Sequence, residues 1–121
     1  MFDNISIIGC GLIGSSLLRV IKTKNLAKET RVFDTSKEVN SYLKKENLCS
    51  NIFNDIRQCV YNSDLIIIAT PLSNYKEIIL SIKDSLKKNA ILTDTGSVKK
   101  EVMKIIHNIN LKDIHWIPSH P

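Results

Sequence analysis

NISIIGCGLIG, residues 4–14, joins a short apolar stretch to a segment with helical spacing and contains the pattern G-x-G-x-x-G. The stretch at 4–8 predicts a β-strand, and the apolar spacing beyond the glycines predicts an α-helix. A dinucleotide-binding fingerprint must lie at such a strand-to-helix join. Three of the chain's four glycines are at the required positions, Gly9, Gly11 and Gly14. A glycine-rich turn without a ligand is the alternative.

Each residue of this glycine loop has a predicted role. Gly9 would permit a tight turn, Gly11 would let the backbone approach a pyrophosphate, and Gly14 would let helix and strand pack closely. The backbone N–H groups of Leu12 and Ile13 would lie at the positive end of the helix dipole. We therefore expect these two residues to bind the phosphates.

Hydrophobic periodicity alternates along the chain between short apolar runs and longer helical patterns, which is typical of βαβ units. We therefore predict an α/β fold of the Rossmann type, a doubly wound and mostly parallel sheet of about six strands. The predicted strands are residues 4–8, 30–34, 51–53, 64–69, 90–93 and 114–117. The unbroken apolar run at 64–69 predicts a central strand that is buried on both faces.

Four helices are predicted between these strands, each with an apolar face toward the sheet. The predicted inward residues are Ile13, Leu17, Val20 and Ile21 in the first, Val39, Tyr42 and Leu43 in the second, Tyr75, Ile78, Ile79, Ile82 and Leu86 in the third, and Val98, Val102, Ile105, Ile106 and Ile109 in the fourth.

Length and composition indicate one domain in a reducing compartment. The 121 residues predict a single dinucleotide-binding domain over 1–121. The apolar runs are shorter than the roughly 20 residues that cross a bilayer, and no signal peptide is recognisable, so we expect a cytoplasmic protein without membrane contact. The three cysteines lack C-x-x-C spacing, which predicts free thiols and no metal site.

A net charge of +5 is the single feature that favours a nucleic-acid partner. The lysines, however, occur in ones and twos on faces that alternate with apolar residues. Solvated helix surface is therefore the preferred interpretation, and no nucleic-acid partner is expected.

Asp34 ends the second predicted strand 20 residues after Gly14. A carboxylate at this place accepts hydrogen bonds from the adenosine ribose and repels a 2′-phosphate, which favours NAD over NADP. Arg31 and Lys37 keep NADP open, because a nearby cation can accommodate the extra phosphate. The alternative is that Asp34 only caps the next helix.

Three further loops are predicted to converge at the same end of the sheet. Thr70 and Pro71 follow the central strand, either under the cofactor or as a plain helix start. Ser97 is a good helix cap and also a hydroxyl within reach of a substrate. His120 follows the last strand, where an imidazole can accept a proton at neutral pH. A surface histidine is its alternative, and His107 and His115 look structural.

Four segments in order complete a resemblance: GCGLIGSS at 9–16, Ala69-Thr70-Pro71, TDTGSVK at 93–99 and PSHP at 118–121. Together they resemble the prephenate and arogenate dehydrogenases of tyrosine biosynthesis, over the whole chain. The resemblance implies that His120 is the catalytic histidine, that Ser97 is an active-site serine near it, and that the glycine loop and Asp34 bind NAD.

Such enzymes convert prephenate to 4-hydroxyphenylpyruvate by oxidative decarboxylation. The resemblance implies that His120 accepts the hydroxyl proton while hydride leaves for the nicotinamide. Family members continue into a helical domain that builds the dimer and supplies cations for the substrate carboxylates, and this sequence lacks it. The isolated chain is therefore expected to be incomplete as an enzyme. The alternatives are arogenate dehydrogenase, another NAD(P)-dependent dehydrogenase of related fold, and a non-catalytic NAD-binding module.

Overall fold

The computed structural model describes residues 2–96, 99–109, 111 and 113–118. The elements in chain order are β1 (Phe2–Ile8), α1 (Leu12–Lys24), β2 (Ala27–Phe33), α2 (Lys37–Lys45), β3 (Asn51–Phe53), α3 (Ile56–Val60), β4 (Leu65–Ile68), α4 (Tyr75–Ile82), β5 (Ile91–Asp94), α5 (Lys99–Asn108) and β6 (His115–Trp116). A single 3₁₀ turn, Leu72–Asn74, leads into α4.

The described strands form one six-stranded sheet in the order β3-β2-β1-β4-β5-β6, and every pairing is parallel. The chain runs outward from β1 to β3, returns to the centre, and runs outward again from β4 to β6. This order confirms the predicted doubly wound, Rossmann-type fold, with β4 at the centre. We call the end where the strands finish the carboxyl edge and the end where they begin the amino edge.

Side chains of β4 pack alternately on the two faces of the sheet. Ile66 and Ile68 pack against the cluster formed with α3, α4 and α5, whereas Ile67 packs against the cluster formed with α1 and α2. Each of the three is less than 10% exposed. An apolar side chain at every position is what a parallel strand covered on both faces requires.

The buried face of α1 differs from the predicted one. Gly14, Leu18 and Ile21 are buried, whereas Ile13 and Val20 are 54% and 47% exposed. Ile21 is buried and Leu17 packs against the core, as predicted, whereas Gly14 and Leu18 take the inward places expected for Ile13 and Val20. Gly14 packs closely against the turn at Gly9 and Cys10.

One smaller difference concerns α2. Tyr42 was predicted to face inward but is 42% exposed, and its hydroxyl accepts a hydrogen bond from Arg19. Cys10, Cys49 and Cys59 are free, as predicted, and the structure shows that all three are buried. Among the described residues, no helix combines the length and apolarity that a bilayer crossing requires.

Candidate functional site

The glycine loop leaves β1 in a backbone conformation that favours glycine. Gly9 has φ +83°, and a Cβ built on it would lie 2.5 Å from Cγ2 of Thr70. Its N–H donates to the carbonyl of Phe33, at 2.8 Å, which fixes the turn to the end of β2. Any side chain at this position would be strained and would also collide with the loop after β4.

Gly14 and Gly11 have opposite surroundings. A Cβ on Gly14 would lie 2.7 Å from the carbonyl oxygen of Gly9, so its absence lets α1 pack directly on the turn. A Cβ on Gly11 would meet no atom within 4 Å. The space beside Gly11 is therefore open to an approaching group, which is the property expected where backbone meets a pyrophosphate.

The N-terminus of α1 faces that open space. The helix begins at Leu12, directly after Gly11, and its first turn contains no acidic residue that would offset the helix dipole. The first N–H groups of a helix have no partner within it. Leu12 is 87% exposed and Ile13 is 54% exposed. Backbone donors and a positive dipole end are thus accessible at this point.

Asp34 lies directly after β2 and is held by two backbone donors. One carboxylate oxygen accepts from the N–H of Cys10 at 2.6 Å, and the other accepts from the N–H of Ser36 at 2.8 Å. Helix α2 is capped by Ser36, whose hydroxyl accepts from Val39. Asp34 therefore connects the glycine loop to the end of β2, and the cap that was its alternative role belongs to Ser36.

A cleft of about 580 Å³ opens at the carboxyl edge beside these residues. Gly9, Gly11, Asp34, Thr70 and Pro71 all line it. Helix α4 contributes Glu77, Ile78 and Ser81 to its lining. Five of the eight residues predicted to bind the cofactor therefore meet at one cavity, and the sheet topology brings them together although they come from three separate loops.

The thiol of Cys10 lies within the glycine loop and is 1% exposed. Burial raises its pKa to about 12, and the nearby carboxylate of Asp34 adds to the increase. A thiol in this state stays protonated and is a poor nucleophile. Cys10 therefore fills space under the loop, and it takes no part in the chemistry of the cleft.

The turn after β5 is built on a buried carboxylate that sequence reasoning did not single out. Asp94 is 1% exposed, and its Oδ2 accepts from the N–H of Gly96 at 2.7 Å and from the hydroxyl of Tyr75 at 3.4 Å. Burial, followed by the charge of Asp94, raises the pKa of Tyr75 to about 12. The position of Asp94 at a strand end was the available signal, since carboxyl ends of strands form the ligand edge.

The two residues predicted to carry the chemistry, Ser97 and His120, lie outside the described residues. The same holds for Val98, predicted to face inward in α5. His107 and His115 are exposed, on α5 and β6 respectively.

A family model described as prephenate dehydrogenase, nucleotide-binding domain, matches residues 17–121. The cyclohexadienyl dehydrogenase of Zymomonas mobilis is 36% identical over 121 residues, which are 100% of this chain and 41% of that protein. The prephenate dehydrogenase of Lactococcus lactis is 30% identical over 119 residues, 97% of this chain and 33% of that protein. The chain thus spans less than half the length of either curated relative.

Solved structures share the fold at lower identity. A crystal structure of prephenate dehydrogenase from A. aeolicus, in complex with hydroxyphenyl propionate and NAD+, superimposes with a TM-score of 0.80 at 19% identity, covering 100% of this chain and 42% of that chain. The 3-hydroxyisobutyrate dehydrogenase of Mycobacterium tuberculosis gives a TM-score of 0.82 at 14% identity, covering 98% and 40%. Enzymes with different substrates share this fold, so the fold alone does not select a substrate.

Proposed function

This chain belongs to the prephenate dehydrogenase nucleotide-binding domain family, and on that premise we propose that it is the NAD-binding part of a prephenate dehydrogenase. The complete protein would oxidise and decarboxylate prephenate to 4-hydroxyphenylpyruvate. We assign residues 1–121 to a single dinucleotide-binding domain within that enzyme.

The main support for the proposal is the hydrogen bond between Asp34 and the glycine loop, both of which line the same cleft. The 2.6 Å bond from Cys10 N–H holds the carboxylate beside the open space at Gly11. A carboxylate oxygen has more than one lone pair, so Asp34 can accept ribose hydroxyls while it keeps both backbone donors. Leu12 and Ile13 would bind the pyrophosphate through their N–H groups.

NAD is favoured over NADP because Arg31, one of the two cations three residues from Asp34 in the sequence, is engaged elsewhere. Arg31 donates to Glu29 at 3.1 Å and to the carbonyl of Tyr61 at 2.5 Å, and its guanidinium lies 5.8 Å from the ring centre of Phe53. Its side chain is 15% exposed. A guanidinium held this way is not available to a 2′-phosphate, whereas the charge of Asp34 repels one.

For the chemical step, the proposal relies on the resemblance of PSHP and TDTGSVK to the family's motifs. When bound, NAD supplies a hydride acceptor at its nicotinamide. His120 would accept the proton of the ring hydroxyl as the hydride departs, and Ser97 would orient the imidazole or that hydroxyl. Loss of carbon dioxide then restores the aromatic ring. Thr70 and Pro71 would support the cofactor from below.

Arogenate is the alternative substrate, since it shares the cyclohexadienyl ring with prephenate and a relative carries the name cyclohexadienyl dehydrogenase. The cations that would distinguish them are expected in the helical domain that family members add, which would also build a homodimer. The cytoplasm is the proposed compartment, in keeping with three free thiols.

The test is a calorimetric titration of the purified chain with NAD and, separately, with NADP. We expect saturable binding with NAD preferred, and little or no turnover of prephenate by the chain alone. Preference for NADP would refute the assignment of Asp34, and Lys37→Ala would then be the variant to titrate. Absence of binding in a folded sample would refute the proposed function, and robust turnover would refute the expectation that residues 1–121 alone do not catalyse the reaction.

A further inference from the structure

Tyr75 and Asp94 form a buried polar pair under the turn that follows β5. Tyr75 is 0% exposed and Asp94 is 1% exposed. A Cβ on Gly96 would lie 2.8 Å from Oδ2 of Asp94 and 2.9 Å from the hydroxyl of Tyr75. The turn therefore rests directly on both polar atoms, and the 2.7 Å bond from Gly96 N–H fixes it to the carboxylate.

Stability alone does not account for this pair. Burial of a carboxylate and a phenol is costly, and apolar side chains of similar volume often stabilise a core as well or better. The pair instead connects two loops of the carboxyl edge. Tyr75 is the first residue of α4, directly after the loop that lines the cleft, and Asp94 is the last residue of β5. The N–H of Thr95 also bonds to the carbonyl of Ile68, at 3.1 Å.

The strand order indicates which half of a dinucleotide this turn would meet. Asp34, the proposed ribose ligand, follows β2, on one side of the β1–β4 reversal point, and the turn follows β5, on the other side. A dinucleotide binds across that point, with one mononucleotide on each half of the sheet. The turn after β5 therefore belongs to the half opposite the adenosine.

We propose that Tyr75 and Asp94 are positioning residues that hold the turn formed by Thr95 and Gly96 against the nicotinamide end of the bound cofactor. The inference rests on the proposed function, because it requires that the chain bind NAD. Neither side chain would touch the cofactor. They act through the backbone of the turn, which continues into Ser97.

The experiment titrates the chain with NAD and with ADP-ribose, which lacks the nicotinamide, for wild type, Tyr75→Phe and Asp94→Asn. The control is Ser63→Ala, which also removes a buried hydroxyl. Ser63 precedes β4 at the amino edge, and its hydroxyl lies 2.5 Å from Ser6 Oγ. Hydrogen exchange of the Gly96 amide reports on the turn itself. If Asp94→Asn does not fold, Tyr75→Phe carries the test, since it removes one oxygen and keeps the ring.

We expect both variants to weaken NAD binding by about three- to tenfold, the loss of roughly one hydrogen bond, with ADP-ribose binding unchanged and faster exchange at Gly96. Ser63→Ala should alter neither affinity. Equal weakening of both ligands, or unchanged binding of both in a folded variant, would overturn the inference and leave the proposed function intact. A wild-type chain that binds neither ligand would overturn both.

Discussion

Asp64 at the amino edge and Asp34 at the carboxyl edge each accept hydrogen bonds from two backbone N–H groups. The two carboxylates differ in whether a cation is paired with them. Asp64 binds the N–H groups of Asp3 and Asn4 and is also paired with Lys87. Within the described part of the chain, no such lysine or arginine pairs with Asp34, and a cleft opens beside it. The carboxylate of Asp64 is thus paired with a cation, whereas that of Asp34 lies beside the cleft. Four experiments test this division.

The largest effect is expected from Gly9→Ala at the carboxyl edge. The positive φ and the contact with Thr70 should together cost about 2–5 kcal/mol of the free energy of unfolding. NAD binding should be lost as the loop shifts. Urea unfolding and calorimetry measure the two effects.

Gly11→Ala is the matched control for that change. The Cβ added at Gly11 meets no protein atom. Gly11→Ala should therefore cost less stability than Gly9→Ala while NAD affinity falls, because the methyl group would occupy the place of the pyrophosphate. Equal destabilisation by the two alanines would contradict the distinction between a structural and a ligand-facing glycine.

At the amino edge, Asp64→Asn should destabilise the chain by about 1.5–3 kcal/mol, the usual worth of hydrogen bonds to a charged group. The hydrogen bond from Lys87 is the main cause that lowers the pKa of Asp64 below 3.8. The folded chain then binds fewer protons at this site than the unfolded chain does. The stabilisation is present in full above pH 3.8 and is lost as the pH falls through the lower folded-state pKa.

Urea midpoints measured near neutral pH and below pH 3.8 check this sign. Wild type should lose stability on acidification, and Asp64→Asn should lack that part of the loss. NAD affinity should be unchanged in the variant, since Asp64 lies at the end of the sheet away from the cleft. A variant that keeps the full acid dependence would refute the assignment.

Asp34→Asn should affect binding more than stability. One oxygen remains to accept a backbone N–H, so the free energy of unfolding should fall by only about 1 kcal/mol. NAD affinity should fall about tenfold, and the preference over NADP should shrink because the repelling charge is gone. Asp64→Asn is the control carboxylate. An unchanged ratio of NAD to NADP affinity would show that Asp34 does not discriminate between them.

The smallest effect concerns two thiols, one near each edge. Cys10 is 1% exposed and Cys59 is 0% exposed, and burial raises the pKa of each to about 12. Iodoacetamide at neutral pH should therefore label neither in the folded chain and both in urea. Saturating NAD should slow any residual labelling of Cys10 and leave Cys59 unaffected. Labelling of Cys10 at the rate of the unfolded chain would mean that the glycine loop is open in solution.

The sequence predicted those parts of the fold that depend on local pattern. The glycine loop and the apolar run of β4 were located correctly, because each has a signal that few other structures produce. Strand β2 begins at Ala27, earlier than predicted, since Lys28 and Glu29 near its start are charged and interrupt the apolar signal. Helix α3 was missed because its five residues are too few to produce a helical period.

Contacts between distant segments could not be predicted in the same way. Nothing in the spacing of residues indicates that the N–H of Cys10 meets Asp34, or that Tyr75 meets Asp94. Tyr75 was predicted to be part of an apolar stripe, and it is buried, but its hydroxyl makes it polar as well. Such pairs depend on the order of the strands in the sheet, because that order decides which distant segments lie next to each other. Hydrophobic periodicity in the sequence does not specify the order.

The central place of β1 has a consequence for synthesis on the ribosome. β1 pairs with β2 on one side, but its other partner, β4, ends at Ile68, 60 residues after Ile8. At about 5–20 residues per second, translation needs roughly 3–12 s to cover that interval. Until then, one side of an apolar strand presents unpaired N–H and C=O groups, which is the property that makes edge strands prone to intermolecular pairing. A strand that is paired on both sides in the finished sheet therefore has one side unpaired while the nascent chain grows.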